Sequence, residues 1–296
     1  MMLRAALPAV LLLLAGCATQ TRPVADVAPP APQTPPKAMQ WLYGSGEGAA
    51  ISRQAYNALA AYTATVAADR KAGRPVRSAI LAPGATLDAP RFVECAGGQP
   101  LAAMFDVDET VLLNLGFEYD DAKGGVRPWD EDRWARWEQA GADKVLPVPG
   151  AVEALATLRA QGLTILFNSN RNTANGAFTK AAIEGAGLGP AVAGDTLYLK
   201  GDVAPGSGKD PRRLKASEHY CIVALGGDQL GDFSDQFGPL MKDIPGRRAW
   251  VGQGAIARLW GAGWFVLPNP LYGTGTVGSY DDVFPADKRW TDQGGK

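Results

Sequence analysis

The stretch Leu101-Ala102-Ala103-Met104-Phe105-Asp106-Val107-Asp108-Glu109-Thr110 decides how the rest of this 296-residue chain is read. Residues 101–104 form an apolar run of the kind that makes a buried strand. Two aspartates two apart at the end of such a strand place two carboxylates at the mouth of one site. One can attack phosphorus, while the other serves the leaving group and then the water. The same residues also suit an acidic turn or a fragment of a calcium-binding loop. The choice between these depends on the later segments of the chain.

Three further segments carry polar groups, two of them at the end of apolar runs. Leu163-Thr164-Ile165-Leu166-Phe167 runs into Asn168-Ser169-Asn170-Arg171. A hydroxyl and an amide there can donate hydrogen bonds to phosphate oxygens, although Ser-Asn after a strand is also a common turn. Gly208-Lys209-Asp210-Pro211-Arg212-Arg213 opens a helix. Lys209 at that point can neutralise charge on a nucleophile and on a transferring phosphoryl group. Ile222-Val223-Ala224-Leu225 leads into Gly226-Gly227-Asp228-Gln229-Leu230-Gly231-Asp232. A third strand-end acid completes an oxygen-rich site suited to magnesium. Open α/β sheets bind ligands at the carboxyl ends of their strands, so these groups are expected to converge on one cleft.

Helical spacing marks the intervening segments. Ile51, Ala55, Ala58, Leu59, Tyr62 and Val66 predict a helix over 46–71. Val152, Leu155 and Leu158 mark another, closed by Gly162, and a third covers 174–186. Leu197-Tyr198-Leu199 and Trp264 to Leu267 read as strands. This alternation predicts an α/β parallel sheet with helices on both faces. Residues 74–100 show no clean period and read as an irregular insertion. Trp134 and Trp137 are three apart, hence on one helix face.

In order, Asp106-x-Asp108-x-Thr110, Ser169-Asn170-Arg171, Lys209 and Gly227-Asp228 to Asp232 resemble the motifs of the haloacid dehalogenase (HAD) superfamily. Further segments make the chain similar to its class C acid phosphatases and lipoprotein 5'-nucleotidases. They are Trp41-Leu42-Tyr43, Gln54-Ala55-Tyr56-Asn57, Asn114, Trp134 and Trp137, Pro147-Val148-Pro149-Gly150-Ala151, and Phe265 through Leu267-Pro268-Asn269 to Gly273. The resemblance implies a Rossmann-like HAD parallel sheet with a small, mainly helical cap at about 114–148. It implies a magnesium-dependent acid phosphatase that hydrolyses phosphomonoesters, 5'-nucleotides foremost, through an aspartyl-phosphate. Asp106 would be the nucleophile and Asp108 the acid and then the base. Mg2+ would be held by Asp106, the main-chain carbonyl of Asp108 and Asp228, with Asp232 holding a metal-bound water. Ser169, Asn170 and Lys209 would grip the phosphoryl oxygens, and Thr110 would brace the nucleophile loop. An acidic optimum is expected, because Asp108 must begin the reaction protonated.

For Trp134 the resemblance implies a stacking partner for a base or aromatic leaving group, with Tyr272 on the other side. Each reads equally well as core, and Trp137 reads as cap core. In the superfamily sheet the strands after Cys95 and Cys221 are parallel neighbours, which implies a Cys95–Cys221 disulfide; two unpaired cysteines is the other reading. Three features depart from the family pattern: Leu113 stands where an acid is expected, residues 74–100 are long, and Gly273 to Tyr280 is glycine-rich.

The formal charge of -1 gives no basic field for a nucleic acid polymer. The single histidine, His219, argues against a histidine phosphatase and against histidine-rich zinc sites. Residues 1–16 read as a lipoprotein signal peptide, because Leu14-Ala15-Gly16-Cys17 resembles a lipobox. Cys17 would then carry the lipid, and Ala18 after it suggests the bacterial outer membrane. Residues 17–38 read as a Pro/Ala-rich tether and 39–296 as the phosphatase domain. Expected partners are a small phosphomonoester and the membrane; a homodimer is an open alternative. The rival reading is a catalytically inactive surface lipoprotein that binds a nucleotide, haem or partner. Against it stands the complete set Asp106, Asp108, Ser169, Lys209 and Asp228.

Overall fold

The strand β1 (Leu101–Phe105) is buried along its whole length. It is the central strand of a five-stranded sheet, ordered β5 (Leu197–Lys200), β4 (Thr164–Asn172), β1, β6 (Cys221–Gly227) and β7 (Trp264–Val266). All four pairings are parallel. The computed structural model describes residues 34–125, 127–240, 243–292 and 294. The leader 1–16, Cys17 and the tether up to residue 33 lie outside the described residues.

Alternate residues of β1 face opposite ways, and this period of two divides the core. Leu101, Ala103 and Phe105 pack with Tyr56, Leu59 and Val66 of α2 (Gly46–Lys71) and with Leu155 and Leu158 of α5 (Ala151–Ala160). Ile183 of α6 (Gly176–Gly185) joins the same face. Ala102 and Met104 face the other way, toward Ala216 of α7 (Asp210–Ser217), Phe237 and Trp264. Helix α2 fills the predicted interval; Ser45, which separates it from α1 (Lys37–Gly44), caps it by accepting Gly48 N–H at 2.9 Å.

Residues 74–100 have little regular structure, yet they are not peripheral. Ala79, Ile80, Leu81, Ala85 and Leu87 are buried in the second core. Ala79 N–H donates to Ile222 O at 2.8 Å, and Ala79 O accepts the Trp264 indole N–H at 2.9 Å. The segment covers sheet surface that would otherwise be wet. It carries no sequence period because side-chain fit, not a helix or strand repeat, sets its course. Cys95, within it, is disulfide-bonded to Cys221 at the start of β6.

The strand after Leu163 runs further than its apolar residues suggest. β4 continues through Ser169, Asn170 and Arg171 to Asn172, which pairs with Lys200 after a register shift. Between β2 (Leu112–Leu113) and its antiparallel partner β3 (Leu146–Pro147) lie α3 (Leu115–Gly124) and α4 (Glu131–Ala140). Trp137 is packed so closely in this unit that a Cβ at Gly116 would lie 2.7 Å from its ring.

Candidate active site

The carboxyl end of β1 delivers Asp106, whose N–H donates to Gly226 O at 2.9 Å and so ties it to β6. Asp228 and Asp232 come from the end of β6. Carboxylate oxygens of Asp106, Asp228 and Asp232 all lie within 4.8 Å of one another. Lys209, at the N-cap of α7, bridges this cluster by donating to Asp106 and, at 2.6 Å, to Asp232 Oδ1. Asp235 fixes the lysine by accepting the N–H groups of Lys209 and Asp210, each at 2.8 Å.

Each acid is held by a different set of donors. Asp228 accepts from Thr110 Oγ1 at 2.9 Å, Gln229 Nε2 at 2.9 Å and Asn269 Nδ2 at 2.8 Å. Thr110 thus braces the acid at the end of β6 as well as its own loop. Asp232 Oδ2 accepts the N–H groups of Asp228 and Gln229 at 3.1 and 2.8 Å. Burial pushes the Asp106 carboxyl well above the usual range; Lys209 opposes this, and Asp232 and Asp228 add to it. Asp228 is pushed up to about 7 by burial and by Asp232. Burial alone would lower Lys209, but its two carboxylate partners outweigh that and raise it.

Three carboxylates share one ammonium in this pocket. Buried charge of one sign calls for a counter-ion, and a set of hard oxygen donors suits a small divalent cation. The residues present therefore fit such an ion.

Asp108 lies apart from the acidic trio. Its Oδ1 accepts from Arg171 Nη2 at 2.8 Å, Arg171 Nε at 3.0 Å and Asn114 Nδ2 at 2.9 Å. Its Oδ2 accepts from Arg171 Nε at 3.3 Å and from the Ser169 hydroxyl at 3.4 Å. Sequence reasoning gave Arg171 and Asn114 no role of their own; their roles arise from the extension of β4 and the turn into the cap. Arg171 is 2 % exposed and also donates to Asn114 Oδ1 at 2.9 Å, so the guanidinium is locked against Asp108.

The turn after Asp108 is forced. Glu109 has φ of 54°, a left-handed conformation uncommon outside glycine. Its buried carboxylate holds the turn by accepting from Tyr43, from Tyr272 and from Asn114 N–H at 2.9 Å. Burial and then Asp108 push Glu109 up to about 7, against the hydrogen bonds from Tyr272 and Asn114.

The other expected site residues are spread around this centre. Ser169 is fully buried, with its oxygen accepting Arg171 N–H at 3.0 Å. Asn170 is exposed, and its Oδ1 accepts Arg212 Nη2 at 2.5 Å. Trp134 meets the edge of Phe117 at 4.9 Å and lies 5.6 Å from the exposed Trp129. Tyr272 is 37 % exposed as a residue while its hydroxyl is held by Glu109. Trp134 and Tyr272 make no ring contact with each other among the described residues.

A family model described as HAD superfamily, subfamily IIIB (acid phosphatase) matches residues 77–275, about two thirds of the chain. The chain is also similar to a class C acid phosphatase from Bacillus anthracis solved with tungstate bound. That match is at 25% identity and a TM-score of 0.59, covering 84% of this chain and 89% of the other. A second structure of the class C acid phosphatase from Bacillus anthracis matches at 24% identity and a TM-score of 0.60, over 80% of this chain and 84% of that one; it speaks for the fold. With the strand-end acids, the lysine and the cap all carried by the matched region, the chain belongs to the subfamily IIIB acid phosphatases of the HAD superfamily and is a phosphoric monoester hydrolase.

Proposed function

We propose that this acid phosphatase is a magnesium-dependent enzyme that hydrolyses 5'-nucleotides and related phosphomonoesters through an aspartyl-phosphate on Asp106. The observation that carries the reading is the convergence of Asp106, Asp228, Asp232 and Lys209 in one buried cluster. Asp106, Asp228 and the main-chain carbonyl of Asp108 would hold the ion, with Asp232 beside them. When bound, Mg2+ supplies charge stabilisation to the phosphoryl oxygens.

The residues' own work is set by their placement. An Asp106 oxygen attacks phosphorus, and the bond from phosphorus to the ester oxygen breaks. Asp108 gives its proton to the leaving alkoxide, which would otherwise be a poor leaving group. Its Oδ2 is assigned that proton, since Oδ1 takes the shorter hydrogen bonds from Arg171 and Asn114, at 2.8–3.0 Å, while Oδ2 takes only the longer ones from Arg171 Nε and Ser169, at 3.3 and 3.4 Å. In the second half Asp108 takes a proton from water, the water oxygen bonds to phosphorus, and the phosphorus–Asp106 bond breaks. The proton lost in the first half is thereby regained. Lys209 and Ser169 stabilise the phosphoryl oxygens, and Asn170, whose amide nitrogen is not held by Arg212, offers a further donor.

Nucleotide preference is assigned to Trp134 and Tyr272, which offer flat faces at the cap and at the loop after β7. From the resemblance of Leu14-Ala15-Gly16-Cys17 to a lipobox we further infer an enzyme outside the cytoplasm, anchored through Cys17 at the outer membrane. Labelling with a radioactive fatty acid, lost in Cys17→Ala, would check the anchor.

Phosphate release from 5'-AMP, nicotinamide mononucleotide and an aryl phosphate tests the chemistry, with magnesium or EDTA and beside Asp106→Asn. Turnover that needs the metal, vanishes in the variant and is inhibited by tungstate is expected. Absence of turnover from roughly pH 4.5 to 8, a span around ordinary carboxylate and near-neutral values, would overturn the reading in favour of an inactive binding lipoprotein.

A further inference from the structure

A cavity of about 330 Å³ opens beside the acidic cluster, with Asp228 in its wall. That volume lies at the lower end of small-ligand pockets. Leu230, Ile244 and Val283 give it apolar walls, and Arg247 and Arg248 of the helix Ile244–Val251 add two guanidinium groups.

Arg247 is the unusual member. It is 8 % exposed, and its Nη2 donates to Val277 O at 3.3 Å. Its Nη1 is buried with no hydrogen-bond partner among the described residues. Asp282 senses the Arg247 charge, but its Oδ2 already accepts both the N–H and the hydroxyl of Ser279, each at 2.8 Å. Asp228 is likewise engaged by Thr110, Gln229 and Asn269. A buried cation without a paired anion is costly to a fold, and arginine's fork suits a carboxylate or phosphate. Arg248 is exposed and adds a second positive charge to the same cavity.

Asp228 belongs to both the acidic cluster and the cavity wall, so the cavity lies directly beside the reacting centre. We propose that this cavity is a leaving-group subsite selecting phosphomonoesters whose partly apolar leaving group carries a second anionic group, paired with Arg247. The inference rests on the phosphatase reading above and adds a substrate class to it. It does not use Trp134 or Tyr272, so it reads a feature that an aromatic base does not supply.

Two pairs of esters test it with the full chain and magnesium: 4-carboxyphenyl phosphate and 4-(2-carboxyethyl)phenyl phosphate, each beside its neutral amide. The amide of the first pair withdraws electrons more strongly, so a preference for the acid cannot come from leaving-group chemistry. At least one acid is expected to exceed its amide about ten-fold or more in kcat/KM, as a hydrogen bond to a charged group allows. That ratio should fall toward one in Arg247→Gln and be partly restored in Arg247→Lys. Ratios at or below one for both pairs in the unaltered protein would overturn the inference, whatever the variants do. So would a ratio unchanged in a folded Arg247→Gln protein. If Arg247→Gln does not fold, Arg248→Gln takes its place and should lower the ratio. Failure of every ester to turn over would instead overturn the phosphatase reading, and this inference with it.

Discussion

Glu118, on α3 of the cap, ties stability to pH. It is 6 % exposed, and burial, then Glu109 and Asp121, pushes its carboxyl up to about 8 against the opposing pull of Arg133. The folded state therefore keeps a proton that the unfolded chain releases near 4.5. Between those values the unfolded state binds fewer protons, so unfolding becomes easier as pH rises. The contribution is fully present below the unfolded value and is lost as pH climbs toward 8. At 1.36 kcal/mol per unit, the loss between roughly pH 5 and 8 is on the order of 3 kcal/mol. Glu118→Gln keeps the shape and removes the titration. Thermal melts of both proteins at the two pH values would read the effect. The unaltered protein should lose more melting temperature than the variant on going to the higher pH, by roughly 6–10 °C for a domain of this size. Glu109 titrates in both proteins and largely cancels in the comparison. Parallel melting curves at both pH values would refute the assignment of a retained proton to Glu118.

Lys209→Gln removes the ammonium between Asp106 and Asp232, and kcat on an aryl phosphate should drop about 10²–10³-fold. Arg171→Gln frees Asp108 to turn; a kcat loss of about 10²-fold is expected, with KM little changed and the kcat–pH profile altered in shape. A purely structural arginine would leave that shape intact. Gly227→Ala would drive a Cβ into the Asp232 side chain, so the variant should fold less stably and bind divalent metal more weakly in calorimetric titration. Reducing the Cys95–Cys221 bond, which spans a sequence separation of 126, should destabilise the domain by about 2–5 kcal/mol, seen as a lower denaturant midpoint.

The strands and the acids at their ends were legible in the chain because both depend on local order. An apolar run of five residues has few other fates than a buried strand, and the residues just beyond it must emerge at the sheet's edge. Helix α2 was legible for a similar reason, through Leu59, Tyr62 and Val66 at helical spacing, although Ile51 and Ala58 of the same row are exposed and Ser52, Tyr56 and Thr63 take the buried face. The role of residues 74–100 was not, since Ala79 and Ile80 are fixed by contacts with Ile222 and Trp264 far along the chain.

Around the candidate site the division is the same. Residue order is enough to tell which carboxylates and which lysine stand at strand and helix ends, and hence the chemistry open to them. Tertiary structure alone decided that Lys209 bridges Asp106 and Asp232, that Arg171 and Asn114 grip Asp108, and that Tyr43 and Tyr272 meet at Glu109. These partners lie between 6 and 163 residues apart, and even the nearest, Asp108 and Asn114, are joined through a left-handed turn. Residue type and local spacing carry the chemistry of each group; charge pairing across a buried cleft depends on where distant backbone brings it, which no local period encodes.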